Sequence, residues 1–187
     1  MPNLIFGTHS PPLGLVLQLY FANLPDLEAS LSRNANLQVL NSRTEFPALA
    51  SVDTTEQAML VRSFDVAVPG CKSGSEAYCS YLVSYEGEAD DLNAWHSHYL
   101  ESHARCIAML PGVRVLEVYT RLDWVSASSW RRVNYMQRNR VAFDNADALE
   151  AALSSPAREA IRADVQAFPA FTGPTRHAAM STRLMKP

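Results

Sequence analysis

Cysteine is scarce in this chain, and its spacing suits neither metal binding nor a disulfide framework. The three cysteines, Cys71, Cys79 and Cys106, are odd in number and show neither CxxC nor CxxH spacing. A structural zinc site needs such spacing, and a small disulfide scaffold needs paired cysteines. We therefore expect reduced thiols and no metal.

Excess positive charge is also lacking. Lys and Arg number 16 against 19 Asp and Glu, which gives a formal net charge of -3. Binding of nucleic acid requires a clustered basic surface that neutralises phosphates, and only Arg131-Arg132 and Arg138/Arg140 approach one. Those pairs lie in or beside a predicted strand, where a solvated strand face explains them. We expect no nucleic-acid partner.

Long apolar runs are the third absence. No stretch approaches the roughly 20 apolar residues of a membrane-spanning helix, and residues 1–19 lack the basic start of a signal peptide. The expectation is a cytoplasmic protein without a membrane partner. The 187 residues, 48% of them apolar and 19% charged, are typical of a globular protein with one large domain or two small ones.

The chain is organised around residues 90–112, where a helical pattern ends at a Leu-Pro-Gly stop. Apolar residues recur there at intervals of three and four, which predicts a helix with one buried face. That face carries Leu92, Trp95, Tyr99, Cys106 and Leu110, with His96 and His103 beside them. Asp91, His98, Ser102 and Arg105 fall on the opposite side, so we expect His98 to be solvated.

The order of predicted elements from residue 79 onward is βαββαβ, typical of an α+β ferredoxin-like domain. We expect an antiparallel sheet with helices on one face. Its predicted strands are 79–85, 113–120, 133–143 and 175–185, and its later helices are 146–153 and 157–168. The N-terminal half adds a predicted strand at 13–21, helices starting at Pro25 and at Ala35, and a strand at 56–68.

The N-terminal half repeats the C-terminal half at an offset of 122 residues. Eleven identities support the repeat, from Phe21, Asn23 and Leu27 against Phe143, Asn145 and Leu149 to a shared Phe-Pro-Ala at 46–48 and 168–170. The Pro-, Gly- and Ser-rich residues 69–78 form the best linker. The sequence thus predicts an N-terminal βαβ half-repeat at 1–70, preceded by a loose arm up to Pro12, and a ferredoxin-like domain at 79–187.

One stretch resembles a known family. The run Trp95, Tyr99, His103, followed by LPGV at 110–113, is similar to the EthD-like branch of the dimeric α+β barrel proteins. The stretch at 141–173, with its Leu-x-x-Ala-Leu-x-Ser-Pro core, looks like that family's second strand and helix. The family commonly has Gly-Pro after the histidine, where this chain has Ala104-Arg105. The resemblance implies the fold, whereas members of the family differ widely in reaction.

His103 is the strongest candidate for chemistry, because an imidazole titrates near neutral pH and can move a proton beside an apolar ligand. A core histidine with one hydrogen bond explains it equally well. Tyr99 would serve as a hydrogen-bond donor, and we expect the ligand to lie between the sheet and the central helix. The candidate ligand-binding residues are Trp95, His96, Tyr135 and Phe168. His96 and His103 lie two turns apart, which does not suit a metal, and we expect no cofactor.

Two classes of function follow, both with a small hydrophobic molecule as partner. The first is a cofactor-independent oxygenase, isomerase, cyclase or decarboxylase that uses His103 as general acid or base. The second is a non-catalytic binding or accessory protein of a degradation pathway. A haem-binding barrel with His103 as axial ligand is a weaker third option. We also expect a homodimer, because a ferredoxin-like sheet with helices on one face leaves its other face bare.

Overall fold

The structure, a computed structural model, describes residues 13–70 and 77–185. The predicted N-terminal arm, Cys71 and most of the predicted linker lie outside the described residues. The helices are α1 (Leu24–Leu31), α2 (Leu92–His98), α3 (Ala104–Ala108), α4 (Ala146–Ser154) and α5 (Ala157–Val165). The strands are β1 (Thr55–Glu56), β2 (Met59–Phe64), β3 (Tyr78–Tyr85), β4 (Val113–Arg121), β5 (Arg131–Arg132), β6 (Gln137–Phe143) and β7 (Thr175–Thr182).

The larger of two compact units comprises residues 61–70, 77–120 and 135–185. Its five-stranded sheet has the order β2-β4-β6-β3-β7, and the pairs β4–β6, β6–β3 and β3–β7 are antiparallel. Strands β4, β6, β3 and β7 have the order of a ferredoxin-like sheet, in which the two central strands are the first and third of the βαββαβ unit. The ferredoxin-like α+β fold predicted from the sequence is therefore confirmed.

One face of this sheet forms the core with the helices. Alternate residues of each strand point to that face, so Cys79, Tyr81 and Val83 of β3 share it with Val141 and Phe143 of β6. Ile107, Leu149 and Ala152 of the helices pack onto it. A fully buried aliphatic or aromatic side chain contributes roughly 1.5–3 kcal/mol, so this apolar face positions the helices over the sheet.

The central helix, residues 92–108, consists of α2, a π-helical segment at Tyr99–His103, and α3. The Asp91 side chain accepts from Ala94 N at 2.9 Å and caps its start. At its end Gly112 adopts φ 78°, a left-handed conformation that glycine tolerates best, and β4 begins at the next residue. The Leu-Pro-Gly stop predicted from the sequence is thus confirmed.

The smaller unit comprises residues 13–60 and 121–134. It contains α1, two 3₁₀ turns at Asn36–Asn41 and Pro47–Leu49, and the parallel pair β1–β5. The Asn23 side chain accepts from Asp26 N at 2.9 Å, and in the larger unit Asn145 accepts from Ala148 N at 2.9 Å. The two asparagines that the repeat aligns therefore cap their helices in the same way. The repeat itself and the division at 1–70 and 79–187 stay predictions.

The strand predicted at 13–21 is wrong. No strand forms there, and Leu15 and Leu17 are 65% and 50% exposed. An apolar run indicates a tendency to be buried, but it does not supply the neighbouring strand that a ladder requires. The helix predicted from Ala35 is likewise reduced to short 3₁₀ turns. Over the described ranges, no helix is both long and apolar enough to cross a membrane.

Candidate functional site

The π-helical segment at Tyr99–His103 fixes the side chains of the central helix that face the sheet. Trp95 and Tyr99 are fully buried, and His103 is 4% exposed. A π segment widens one turn of a helix and is frequent at functional sites. Ala104, which replaces the glycine common in the EthD-like family, is itself buried and continues the helix as α3. The helix therefore runs past His103 without a break.

Five aromatic rings pack together around Trp95, and we call them the aromatic cluster: Tyr85, Trp95, Tyr99, Phe168 and Phe171. The Trp95 ring centroid lies 5.3 Å from that of Tyr99, 5.2 Å from Phe168 and 5.1 Å from Tyr85. The His103 imidazole borders the cluster, with its centroid 4.9 Å from Tyr99 and 5.0 Å from Phe168. Trp95, Tyr99, His103 and Phe168, four of the predicted site residues, thus meet in one place.

Asp164 of α5 orients His103. Its Oδ2 lies 2.7 Å from Nδ1 of the imidazole. An ionised carboxylate can only accept, so Nδ1 carries the proton of the neutral ring and Nε2 keeps its lone pair. Burial lowers the pKa of His103 below its usual 6.5, although the Asp164 carboxylate opposes that shift. At neutral pH His103 is therefore a neutral imidazole with a basic Nε2.

Polar side chains of the sheet lie in register beside the aromatic cluster. Gln137 faces Tyr85 and Asn139 faces Val83 across the β3–β6 ladder, and both amides are buried. Gln137 Nε2 donates to Asn139 Oδ1 at 3.2 Å, and Gln137 Oε1 has no hydrogen-bond partner among the described residues. The Asn139 amide lies within hydrogen-bonding range of the Tyr85 and Tyr99 hydroxyls. Unsatisfied buried amides are costly, so polar groups of this kind are suited to a ligand that supplies the missing bonds.

The hydroxyls of Tyr85 and Tyr99 lie near the same amides. Burial raises the pKa of Tyr85 to about 12, and it raises the pKa of Tyr99 well above its usual value, with the neighbouring Tyr85 adding to the effect. Both phenols therefore stay protonated over the physiological pH range. A protonated phenol is a hydrogen-bond donor, which is the role the sequence predicted for Tyr99.

Two predicted ligand-binding residues lie apart from the centre of the aromatic cluster. His96 is half-buried on the flank of α2, with its ring centroid 5.5 Å from that of Trp95. The Arg138 guanidinium lies 4.2 Å from the centre of the Tyr135 ring. Arg138 points to the opposite face of the sheet from Gln137 and Asn139. A ligand role for either residue stays a prediction.

The face of the sheet away from the helices carries a buried ion pair. Arg140 Nη2 lies 2.8 Å from Glu117 Oε2, and the hydroxyl of Tyr119 donates to the same oxygen at 2.5 Å. Arg140 also donates to the Tyr78 hydroxyl at 2.9 Å. Arg140 is therefore paired with a carboxylate of this chain, Glu117, and not with that of a ligand.

Sequence reasoning missed Asp164, Gln137 and Asn139. Asp164 lies on a polar helix, and no local pattern distinguishes it from the solvated residues around it. Gln137 and Asn139 left a signal, because they share the inward phase of Val141 and Phe143, where polar residues are unusual. His98 was predicted to be solvated, but its side chain is only 21% exposed and packs on Phe168 and Asp164. Asp164 and Phe168 cover that side of the central helix, and the apolar pattern of the helix itself does not reveal their packing.

No group of three or more His, Cys, Asp and Glu side chains within the described ranges is arranged to hold a metal ion.

Among known proteins, this chain is similar to several solved structures. No protein-family model matches the chain, and no curated protein matches it. An anthrone oxidase-like protein matches 84% of this chain and 66% of its own length, with a TM-score of 0.52 and 17% identity. At this identity the likeness is one of fold.

Two smaller structures match most of their own length. An EthD family protein from Bacillus halodurans covers 58% of this chain and 99% of itself, with 20% identity and a TM-score of 0.42. SnoaB, a cofactor-independent oxygenase from Streptomyces nogalater, covers 59% of this chain and 98% of itself, with 16% identity and a TM-score of 0.43. The fold that the resemblance to EthD-like proteins implied is the one that the strand order and pairing of the sheet show.

Proposed function

We propose that the chain binds a planar, hydrophobic small molecule at the aromatic cluster and exchanges a proton with it through Nε2 of His103. The hydrogen bond between His103 and Asp164 carries this proposal. An acid-base histidine needs such a carboxylate to fix its tautomer and to stabilise its charged form.

Each predicted residue receives a role on this view. Trp95 and Phe168 form apolar walls that favour an aromatic ring, and His96 and Tyr135 border the ligand. Tyr99 donates a hydrogen bond to a ligand oxygen. Gln137 and Asn139 add an acceptor and a donor beside it. The name of the anthrone oxidase-like relative in fold points to the same class of aromatic ligand.

The reaction class is acid-base chemistry on an aromatic or otherwise hydrophobic molecule in a catabolic or biosynthetic pathway. Burial lowers the pKa of His103 and keeps it neutral, so the resting protein acts as a base. The non-catalytic alternative uses the same residues to hold the ligand without proton transfer. The two differ in one observable, which is a pH-dependent conversion that requires His103.

The test begins with the ligand. Native mass spectrometry of the purified full chain identifies any molecule carried along, and 1-naphthol serves as an aromatic probe by quenching tryptophan fluorescence. We expect saturable quenching in the wild type and in His103→Gln, and weaker binding in Trp95→Leu. His177→Gln is the control that removes a different, half-buried imidazole.

Conversion of the identified ligand decides between the two classes. We expect turnover that falls as the pH drops through the pKa of His103 and that is reduced about 100-fold or more in His103→Gln, the usual scale of general acid-base catalysis. Binding without turnover favours the accessory protein, and a Soret band in the purified chain favours haem. If no aromatic molecule binds, the proposal fails.

We propose further that the chain works as a homodimer. The apolar side chains of residues 13–20 support it, because they are exposed in both phases of the extended chain. Monomeric proteins rarely expose so many consecutive large apolar residues.

A further inference from the structure

Asp164 is shared by three polar side chains of the central helix. His103 Nδ1 lies 2.7 Å from Oδ2, and the Ser102 hydroxyl donates to Oδ1. His98 Nε2 lies 3.3 Å from Oδ1, within ion-pair distance but without the alignment of a hydrogen bond. His98 and His103 are five residues apart, a spacing that a regular α-helix places on different faces. The π segment between them brings both imidazoles to one carboxylate.

The three titratable groups lead from the interior towards the surface. The side chain of His103 is 5% exposed, that of Asp164 9% and that of His98 21%. The Phe168 ring packs against both imidazoles, with centroids 4.5 Å from His98 and 5.0 Å from His103. Asp164 is therefore the polar group through which a proton on Nδ1 of His103 can leave.

We propose that Asp164 and His98 form a proton relay between the buried His103 and the solvent. The proposal rests on the function proposed above. When Nε2 of His103 takes a proton from a ligand, the ring becomes an imidazolium. Its Nδ1 proton passes to Asp164 and then to Nε2 of His98, which releases a proton from its other ring nitrogen to water. One proton leaves the ligand and one reaches the solvent, and His103 is left neutral with its proton on Nε2. The resting tautomer returns when Nε2 gives its proton to the product and a solvent proton comes back through His98 and Asp164 to Nδ1.

Asp164 has the properties of such a relay. Although burial opposes it, the hydrogen bonds from Ser102 and His103 hold the pKa of Asp164 below its usual value, so the carboxylate is ionised at rest and would hold a proton only in passing. Charge on His98 disfavours charge on His103, and one carboxylate therefore supports one imidazolium at a time. The broad χ2 well of histidine lets the His98 ring turn to align with Oδ1.

Cys106 also faces this carboxylate without competing for the proton. Burial, with the Asp164 charge as a second cause, raises the pKa of its thiol. The thiol therefore stays protonated and neutral. Asp164 and the two histidines are the groups that exchange protons in this part of the molecule.

The test measures how fast the Nδ1 proton of His103 exchanges with water, by NMR on the ligand-free full chain. We expect His98→Gln to slow this exchange several-fold, because glutamine can contact Asp164 but cannot pass a proton on. Ser102→Ala is the matched control, since it removes a hydrogen bond to the same oxygen and leaves the relay in place. An exchange rate that is unchanged or faster in His98→Gln overturns the relay.

The tautomer of His103 gives a second reading. In Asp164→Asn, ¹⁵N shifts should show that His103 loses its Nδ1-protonated tautomer. Because no ligand is present, failure of aromatic binding sinks the proposed function and leaves this result standing.

Discussion

His177 is a half-buried residue whose protonation should be visible in the stability of the protein. Its Nδ1 lies 2.9 Å from the Tyr81 hydroxyl, and burial lowers its pKa to about 4. The unfolded chain takes up this proton near pH 6.5, well before the folded protein does. The free energy of unfolding is therefore unaffected above pH 6.5 and falls as the pH drops towards 4, by about 3 kcal/mol in all.

Substitution of His177 by Gln should remove this dependence. Between pH 7 and pH 5 we expect the variant to lose about 2 kcal/mol less stability than the wild type, because glutamine binds no proton in either state. Urea unfolding at the two pH values measures the difference. Equal losses in the two proteins would show that His177 titrates normally in the folded state.

Residues of the site were predictable from the sequence where helical periodicity placed them. Trp95, Tyr99 and His103 recur four apart on an apolar face, and that was sufficient to bring them together. Asp164 was not predictable, because its approach to His103 depends on how α5 packs across the central helix, 61 residues further along the chain. His98 was misplaced for the same reason, because the residues that cover it, Asp164 and Phe168, come from a distant part of the chain.

Two glycines at the ends of elements should respond differently to the same substitution. A Cβ on Gly87 would lie 1.2 Å from the Thr172 carbonyl oxygen, because the chain after β3 crosses the residues before β7 there. A Cβ on Gly112 would have nothing closer than 3.9 Å, and only its φ of 78° opposes alanine. Gly87 thus tests the effect of a close backbone contact, and Gly112 tests the effect of a left-handed conformation.

We expect Gly87→Ala to cost about 3 kcal/mol, since the backbone of the crossing must move. Gly112→Ala should cost about 1–2 kcal/mol, the usual penalty of an L-residue in that conformation. Urea unfolding of both variants at pH 7 gives the comparison. A larger loss in Gly112→Ala than in Gly87→Ala would mean that the crossing is looser than the structure describes.

Elements were predicted well where the chain supplied both a pattern and its end. The central helix, β3, β4 and the capped helices α1 and α4 lie close to their predicted bounds, because caps, glycine and alternation mark them locally. The strand predicted at 13–21 had an apolar run and no such marks. Its failure as a strand shows that burial, which composition can indicate, and pairing, which needs a partner, are separate requirements.

At the scale of the whole molecule, the same residues argue for self-association. Leu15, Leu17 and Leu19 are 65%, 50% and 52% exposed, and Val16 and Tyr20 on the other phase are 38% and 52% exposed. Burial of apolar surface is worth about 25 cal/mol per Å², so a second copy that covers this run gains substantially. We therefore expect light scattering at micromolar concentration to give twice the chain mass of 20.7 kDa.

Leu17→Asp should shift the protein towards the monomer, because a carboxylate in a buried interface loses its hydration without a partner. Met109→Asp is the matched control: it places the same charge on a residue that is 77% exposed at the end of the central helix, and the dimer should persist. A wild-type mass near 20.7 kDa would contradict the homodimer. It would favour instead a single chain whose N-terminal residues supply what a second copy was expected to provide.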